Sequence, residues 1–347
     1  MPRAGRVCPR AGRLTVKKLL LYPPFEPERL AQIQQAAGSM TVANPADEAE
    51  AARQITDATG FIGKITPALL AKAQRLQWVQ SPTASLEHYV FPALIAHPCT
   101  LTNMRGLFSD IIADQVMGYV IAFARNLHIY IRQQMARQWH PIGGGNQINY
   151  GYGPGLVTGV DRAHQHLGDC TMGIIGLGAI GGELARRAQA FGMRVLAVDP
   201  VRTQAPEGVA LGGLDQTGAL LNNSDYVVIA APHTPRTQGS FGLESFRQMK
   251  PSARFINIGR GAIVDLSALT QALGEGIIAG AALDVYETEP LPAGHPLWGM
   301  ENAILTPHIA GYSPRIAGRH LEVLLDNVAR HRGDEPLRNV VNKAEWF

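Results

Sequence analysis

The sequence predicts an α/β protein with two doubly wound parallel sheets. Short apolar runs rich in β-forming residues alternate with helical patterns along almost all of its 347 residues. This alternation favours parallel strands joined by helical crossovers. A chain of this length has room for two hydrophobic cores. A long amphipathic stripe separates an early series of strands from a later one, which suggests one sheet in each part.

Five apolar runs make up the first series of predicted strands. They lie at residues 17–22, 40–43, 60–63, 76–81 and 100–103, with helical patterns such as residues 67–73 between them. After them, apolar residues recur from Ala113 at positions 116, 117, 120, 121 and 124. This is the spacing of an amphipathic helix. We expect this helix to link two domains.

The second series contains six apolar runs and ends in a helix. The runs lie at residues 171–175, 194–199, 226–231, 254–258, 279–285 and 303–306, and the helical pattern covers residues 315–332. Between the two series, residues 140–159 are rich in glycine and break the pattern. An irregular segment of this length is uncommon. It is either a surface excursion or an arm that packs on a partner subunit or covers an active site.

Composition and charge exclude several classes of protein. With 46% hydrophobic and 17% charged residues, the chain is not disordered, fibrous or a coiled coil. No run of 18 apolar residues occurs, so no membrane span is expected. The formal charge of +3 includes four arginines within the first 13 residues, and the remainder carries −1, so no basic face indicates nucleic acid. We expect residues 1–16 to be a disordered or over-extended N-terminus rather than a targeting signal.

The cysteines indicate the compartment. Cys8, Cys99 and Cys170 have neither metal-ligand nor CxxC spacing. They build no disulfide framework, which favours a reducing cytoplasm. No other cluster of residues has the spacing of a metal site, so no metal is expected.

The glycine-rich hexapeptide GLGAIG follows the first strand of the second series and opens a helix. Gly176 permits a tight turn, Gly178 lets the backbone approach a pyrophosphate, and Gly181 lets helix and strand pack closely. The first helical residues, Ala179 and Ile180, offer N–H groups to phosphates. This pattern is typical of a dinucleotide site.

The next strand ends in Asp199, 23 residues after Gly176. A carboxylate at this position accepts hydrogen bonds from the adenosine ribose and repels a 2′-phosphate. NAD is therefore favoured over NADP, although Arg202 lies close enough to leave NADP as an alternative. A second alternative is that Asp199 is only a turn residue before Pro200.

Three polar segments follow the later strands, at the ends where open α/β sheets bind ligands. Arg260 lies between two glycines, where its guanidinium can hold a carboxylate. The next two segments contain Asp284 with Glu289, and His308. A histidine can exchange a proton near neutral pH, and a nearby carboxylate would orient its ring and favour its protonated form. Singly, each residue also fits a structural role; their order after the glycine-rich turn indicates catalysis.

The chain resembles the D-isomer-specific 2-hydroxyacid dehydrogenases over residues 19–342, nearly its whole length. The motifs that carry the resemblance are GLGAIG with Asp199, PHTP (232–235), NIGRGAIVD (257–265), AALDVYETEP (281–290), HPLW (295–298) and TPHIAG (306–311). The resemblance implies hydride transfer between NAD(H) and a small 2-hydroxy or 2-keto acid. It also implies a Rossmann cofactor domain, residues 104–312, inserted in a discontinuous flavodoxin-like substrate domain, residues 1–103 and 313–347.

The resemblance also assigns roles to residues. Arg260 would bind the substrate carboxylate and keto oxygen, and His308 would be the acid/base. Glu289, rather than Glu287, would support that histidine. Asp284 would meet the nicotinamide carboxamide. The other residues assigned to the cofactor are Gly176, Gly178, Ala179, Ile180, Gly181, Asp199, Ala231, Pro232, Thr237, Ile258, Gly259 and Gly311.

One loop departs from the family pattern. The family usually has Ala-Gly-x-Asp where this chain has ASLE at residues 84–87. Ser85 would be strained if that position needs a positive φ, and we expect Leu86 to point into the substrate pocket. Ser85, Leu86, Asn103 and Arg260 are the predicted substrate-binding residues. The departure of this loop from the family pattern leaves the identity of the substrate open.

Two other functions remain open at this point. An NAD-binding corepressor-like scaffold would keep the same three catalytic residues. Oxidation of an unusual anion such as phosphite would use the same scaffold with an altered substrate loop. We also expect a homodimer through the cofactor domains, around the helix at residues 113–124 and Trp139, and neither a nucleic-acid nor a membrane partner.

Overall fold

The computed structural model describes residues 16–144 and 156–346. The chain divides into two compact units, one of Met1–Met104 with Ala317–Phe347 and one of Arg105–Ile316. The predicted disorder of residues 1–16 and the glycine-rich segment fall mostly on residues 1–15 and 145–155, outside the described residues. The functional division predicted from the sequence, at 103/104 and 312/313, remains a prediction.

In the described part of the chain, the first unit has a five-stranded parallel sheet. Its strand order, β2-β1-β3-β4-β5, is that of flavodoxin-like folds. Its central strands are continuous apolar runs because helices cover both faces of such sheets. Its elements up to residue 104 are β1 (Lys18–Tyr22), α1 (Pro27–Ala37), β2 (Thr41–Ala43), α2 (Glu48–Gln54), β3 (Gly60–Gly63), α3 (Pro67–Lys72), β4 (Trp78–Gln80), α4 (Pro92–Ala96) and β5 (Thr100–Thr102).

The second unit has, within the described ranges, a seven-stranded parallel sheet in the order β12-β11-β10-β9-β6-β7-β8. This is the Rossmann order extended by one strand, and the two sheets confirm the predicted fold class. The remaining elements are α5 (Ser109–Ala124), α6 (Leu127–Met135), α7 (Gly159–Ala163), β6 (Thr171–Ile175), α8 (Ala179–Ala190), β7 (Arg194–Val198), β8 (Val209–Gly212), α9 (Thr217–Asn223), β9 (Tyr226–Ile229), α10 (Leu243–Arg247), β10 (Arg254–Asn257), α11 (Leu266–Gly274), β11 (Gly280–Leu283), β12 (Ala303–Leu305) and α12 (Arg315–Gly333). Apart from its first two residues, α12 belongs to the first unit.

The helix expected to link two domains is instead part of the second unit's core. α5 lies wholly within that unit and packs against α8. The side chains of Ala113, Val116 and Val120 on its apolar stripe are fully buried. The homodimer expected around this helix and Trp139 stays a prediction.

His331 on α12 is a buried titratable group in the first unit. Its ring lies 5.1 Å from that of Trp78. Its Nε2 donates to Thr59 Oγ1 at 3.1 Å, because the Thr59 hydroxyl donates its own hydrogen to Lys18 O. Desolvation by burial, with a smaller effect of Lys17, lowers the pKa of His331 to about 4. The neutral ring therefore contributes stability that is present above the unfolded pKa of about 6.5 and lost as the pH falls toward 4.

We expect this residue to lower the free energy of unfolding by up to about 3 kcal/mol between pH 6.5 and 4. Urea unfolding at several pH values measures the effect. His331→Gln, whose amide can still donate to Thr59 but does not titrate, should flatten the pH dependence in this range. An equally steep loss of stability in the variant would assign the effect to other groups.

Candidate active site

The carboxyl ends of β6, β9 and β10 meet where the strand order of the second sheet reverses. Doubly wound sheets bind ligands at such a switch point. A Cβ atom on Gly176 would lie 2.8 Å from the backbone of Ala231, and one on Gly259 would lie 2.7 Å from Ala231 O. The loops after the three strands therefore pack backbone to backbone, and a larger residue at either glycine would force them apart.

The glycine-rich turn leaves the start of α8 open to an anion. Gly176 has a φ of +96°, and a Cβ on Gly181 would lie 2.2 Å from Gly176 O. Gly178 is the N-cap, without a side-chain cap hydrogen bond, and nothing lies within 4 Å of where its Cβ would be. The N–H groups of the first turn, which holds Ala179 and Ile180, lie at the positive end of the helix. These features fit the pyrophosphate of a dinucleotide.

Asp199 joins the glycine-rich turn to the loop after β7. Its Oδ2 accepts a hydrogen bond from Leu177 N at 2.8 Å. Its Oδ1 accepts hydrogen bonds from Val201 N and Arg202 N at 2.9 Å. The hydrogen bonds from Val201 N and Arg202 N are typical of a turn residue, which was the second interpretation of Asp199 from the sequence. The hydrogen bond from Leu177 N holds the carboxylate beside the glycine-rich turn.

Other residues assigned to the cofactor shape the loops around this edge. Thr237 Oγ1 donates to Pro232 O at 2.9 Å and so closes the loop after β9. Ile258 is buried at the end of β10. Gly311 packs against the ring of Phe108, 3.2 Å from where its Cβ would lie. The structure brings these residues to the same end of the sheet.

His308 and Glu289 form a hydrogen-bonded pair. His308 Nδ1 lies 2.7 Å from Glu289 Oε2, and Glu289 Oε1 accepts from Tyr286 N at 3.0 Å. Because an ionised carboxylate only accepts, Nδ1 carries the proton of this bond and Nε2 is left to exchange a proton. Glu287 is used elsewhere, since its Oε1 accepts from Leu266 N at the start of α11. The two glutamates of the ETEP segment therefore have separate partners.

The backbone around Arg260 is fixed by a buried asparagine. Asn257 Oδ1 accepts from Gly259 N, and Asn257 Nδ2 donates to Arg260 O, both at 3.1 Å. A Cβ on Gly261 would lie 1.8 Å from the backbone of Tyr286, so the arginine loop lies directly against the segment that leads to Glu289. Asn257 was not singled out from the sequence. A polar residue at the end of an apolar strand is the signal that could have found it.

The predicted substrate residues of the first unit differ in what they can contact. Ser85 is half-buried without a positive φ, so the strain considered for this position is absent. Asn103 is buried and its Nδ2 donates to Ala84 O at 2.8 Å, which supports the loop. Leu86 is 1% exposed in the core cluster of this unit. The expectation for its side chain is corrected: it packs into the core of the first unit and does not point into a pocket.

The residues that the structure describes indicate which class of protein the site belongs to. Among them, no group of three or more His, Cys, Asp or Glu side chains could hold a metal ion. None of their helices is long and apolar enough to cross a membrane. A carboxylate-paired histidine, a glycine-flanked arginine and a dinucleotide-binding edge lie in one unit. Together with the fold, they define the class of nicotinamide-linked oxidoreductases.

Comparison with known proteins gives the family. Residues 117–310, more than half of the chain, match the family described as D-isomer specific 2-hydroxyacid dehydrogenase, NAD binding domain. The chain belongs to this family. It is therefore an oxidoreductase that transfers a hydride between a nicotinamide cofactor, NAD or NADP, and a 2-hydroxy or 2-keto acid.

Individual relatives and solved structures agree with this assignment. A glyoxylate reductase of Korarchaeum cryptofilum is 37% identical over 70% of this chain and 69% of its own length. A glyoxylate/hydroxypyruvate reductase B of Shigella boydii is 30% identical over 93% of this chain and 97% of its own length. The structure of an NADPH-dependent glyoxylate/hydroxypyruvate reductase of Sinorhizobium meliloti, in complex with NADP and sulfate, has a TM-score of 0.76 at 26% identity, covering 95% of this chain and 100% of that one. These names favour a reductase over the corepressor-like and phosphite-oxidising alternatives.

Proposed function

We propose that this chain reduces small 2-keto acids, with glyoxylate and hydroxypyruvate as the first candidates, to D-2-hydroxy acids with NADH. The observation that carries the proposal is the 2.7 Å pair of His308 and Glu289, beside the loop that bears Arg260. The two keto acids come from the names of the relatives above.

Three side chains have separate roles in the reaction. The bound nicotinamide supplies or accepts the hydride. Arg260 holds the substrate carboxylate and stabilises the negative charge that develops on the keto oxygen. His308 donates the proton on Nε2 to that oxygen, and in the reverse direction the neutral ring takes the hydroxyl proton. Glu289 keeps the ring oriented through Nδ1. Reduction consumes a proton, so it is favoured at lower pH and oxidation at higher pH.

The absorbance of NADH at 340 nm tests this function directly. The panel contains glyoxylate, hydroxypyruvate, pyruvate, 2-ketoisocaproate and phenylpyruvate, with NAD and phosphite in a parallel reaction. We expect turnover of at least one keto acid and none of phosphite. No turnover of any keto acid by a protein that still binds NADH would contradict the proposal and favour the corepressor-like alternative.

The preference for NADH over NADPH is part of the proposal. Asp199 supports it, because its carboxylate is held beside the glycine-rich turn by Leu177 N and would repel a 2′-phosphate. The Sinorhizobium meliloti structure described above holds NADP. A D-isomer specific 2-hydroxyacid dehydrogenase of Xanthobacter autotrophicus is in complex with NADPH; its TM-score is 0.75 at 26% identity, covering 94% of this chain and 98% of that one. The cofactor is therefore worth a separate measurement.

Asp199→Asn is expected to lower the ratio of kcat/KM for NADH to that for NADPH by about tenfold or more. The variant removes the charge, while its amide oxygen can still accept from Val201 N and Arg202 N. Steady-state rates with both cofactors measure the ratio. Asp215→Asn, at an exposed position of the same unit, is the matched control. An unchanged ratio in Asp199→Asn would remove Asp199 from cofactor selection.

We infer a homodimer as well, with a surface that includes Trp139, as expected from the sequence, and extends from it along α6. Leu127, Ile131 and Met135 recur every four residues on α6, and Trp139 continues the series. These side chains are 42%, 57%, 82% and 77% exposed, respectively. An apolar stripe of this kind on a water-facing helix is typical of an interaction surface, and a second copy of this chain is the partner that we propose.

The double variant Ile131→Glu with Met135→Glu is expected to be a monomer. Light scattering at micromolar concentration should give twice the 37.4 kDa of one chain for the wild type and a single chain mass for the variant. Val201→Glu, at another exposed apolar residue of this unit, should stay dimeric. A monomeric wild type would contradict the inference.

A cytoplasmic location completes the proposal. Cys99 and Cys170 are free, buried thiols. Burial, with Asp225 and Asp169 adding to it, raises the pKa of Cys170 to about 11, so this thiol stays protonated and unreactive. Both features suit a reducing compartment.

A further inference from the structure

His308 has a backbone conformation that its neighbours must hold. Its φ is +53°, in the left-handed region that residues with a bulky side chain rarely adopt. This conformation turns the chain shortly after β12 and sets the point from which the ring reaches Glu289. Whatever holds the turn therefore also holds the acid/base.

Asp284 fixes the two amides that follow His308. Its Oδ1 accepts from Ile309 N and its Oδ2 from Ala310 N, both at 2.9 Å. The Asp284 side chain is buried at the end of β11. One carboxylate thus clamps consecutive peptide groups, while His308 N donates to Thr306 O at 3.1 Å. The turn is closed on both sides of the histidine.

A chain of hydroxyl groups holds that carboxylate in turn. Thr306 Oγ1 donates to Asp284 Oδ1 at 2.6 Å. Tyr119 OH also lies within hydrogen-bond distance of Thr306 Oγ1. A threonine hydroxyl has a single hydrogen, which goes to Asp284, so Tyr119 must be the donor to Thr306. The order of donation is Tyr119 to Thr306 to Asp284, and it connects the middle of α5 to the histidine turn.

Tyr119 is suited to remain the donor. Its side chain is buried on α5. Desolvation, with a smaller effect of the negative charge of Asp284, raises the pKa of Tyr119 above its ordinary value of 10. The hydroxyl therefore keeps its hydrogen over the whole neutral range and remains the donor to Thr306.

We infer that Tyr119 and Thr306 are positioning residues for the acid/base: they fix Asp284, which fixes the turn that carries His308. The inference rests on the proposed function, since it takes His308 as the group that transfers the proton. It also gives Asp284 a role in addition to the nicotinamide contact predicted from the sequence.

Hydroxyl-deleting variants of the intact protein test this network. Thr306→Val is expected to lower kcat for keto-acid reduction by about tenfold or more, because a small displacement of an acid/base costs rate steeply. Thr306→Ser, which restores the hydroxyl, should recover to within about threefold. Tyr119→Phe, which removes one atom, should lose about threefold or more.

Two matched controls remove comparable hydroxyls elsewhere in the same unit. Thr270→Val deletes a hydroxyl that donates to Leu266 O within α11. Tyr226→Phe deletes a buried hydroxyl that donates to Gln165. Both should keep the wild-type kcat.

The split between kcat and KM separates positioning from plain stability. Thr306→Val should lower kcat while KM for the keto acid stays within about twofold, because the network acts on the proton transfer and not on substrate binding. Thr306→Ser should restore kcat. A wild-type kcat in Thr306→Val, or no rescue by serine, would overturn the inference.

An error in the proposed function and an error in the positioning network give different results. If His308→Ala keeps the wild-type rate, the proposed function itself is wrong. If His308→Ala is inactive while Thr306→Val and Tyr119→Phe behave as wild type, only the positioning network is wrong. If Thr306→Val does not fold, Tyr119→Phe and Thr306→Ser carry the test, since both retain the packing of the site.

Discussion

His308→Ala is expected to lower kcat for 2-keto acid reduction by about 10²–10⁴-fold. Of the pair His308 and Glu289, only His308 can give a proton to the developing alkoxide. Both oxygens of Glu289 accept hydrogen bonds, from His308 Nδ1 and from Tyr286 N. The affinity for NADH should change by no more than about twofold, because the ring serves the chemical step. Steady-state rates and a fluorescence titration with NADH measure the two quantities.

The neighbouring glutamates provide a matched pair of controls. Glu289→Gln replaces the carboxylate that accepts from the ring, and kcat should fall by about tenfold or more because the ring is no longer held in place. Glu287→Gln removes an equal charge two residues away, where the carboxylate accepts from Leu266 N, and should leave kcat unchanged. Equal effects of the two variants, or full activity of His308→Ala, would contradict the assignment of His308 and Glu289.

Arg260→Lys is expected to lower kcat/KM for the keto acid by about 10²–10³-fold. A lysine keeps the charge but loses the planar fork that can hold a carboxylate and a keto oxygen together. Both kcat and KM should change, because the arginine acts on the bound substrate and on the charge that develops in the transition state. Initial rates over a range of keto-acid concentrations separate the two.

Arg194→Lys is the control for the arginine variant. Arg194 is exposed at the start of β7, at the opposite end of the sheet from the site, and its replacement should leave the kinetics unchanged. An Arg260→Lys variant that raises KM alone would mean that Arg260 binds the carboxylate without stabilising the transition state.

The parts of the site that could be predicted from the sequence are those with a local signature. GLGAIG is recognisable because an apolar strand, a tight turn and a helix follow one another within 20 residues. Each of its three glycines also stands at a position where a side chain would obstruct the turn, the cofactor or the helix packing. The pairing of Glu289 rather than Glu287 with His308 followed from the family resemblance, and it is the pairing that the structure contains. The two-sheet fold followed from the alternation of strands and helices.

The parts that could not be predicted depend on contacts between distant residues or on weak local patterns. Tyr119 and Thr306 are 187 positions apart, so no spacing in the sequence connects them. The strand β8 is short and only partly buried at the sheet edge, which leaves almost no apolar alternation to detect. The direction of the Leu86 side chain depends on how its loop turns, and a loop has no side-chain period from which to infer it.

The most direct test of the central claim is the fate of the hydride. NADH that carries deuterium at the transferable C4 position is incubated with the enzyme and hydroxypyruvate, or with whichever keto acid other than glyoxylate turns over fastest, because the product must have a D and an L isomer. The glycerate or other hydroxy acid is then analysed by chiral chromatography and mass spectrometry. We expect the D isomer with one deuterium at C2. An unlabelled product, or the L isomer, would contradict the claim that this site transfers a hydride to a D-2-hydroxy acid.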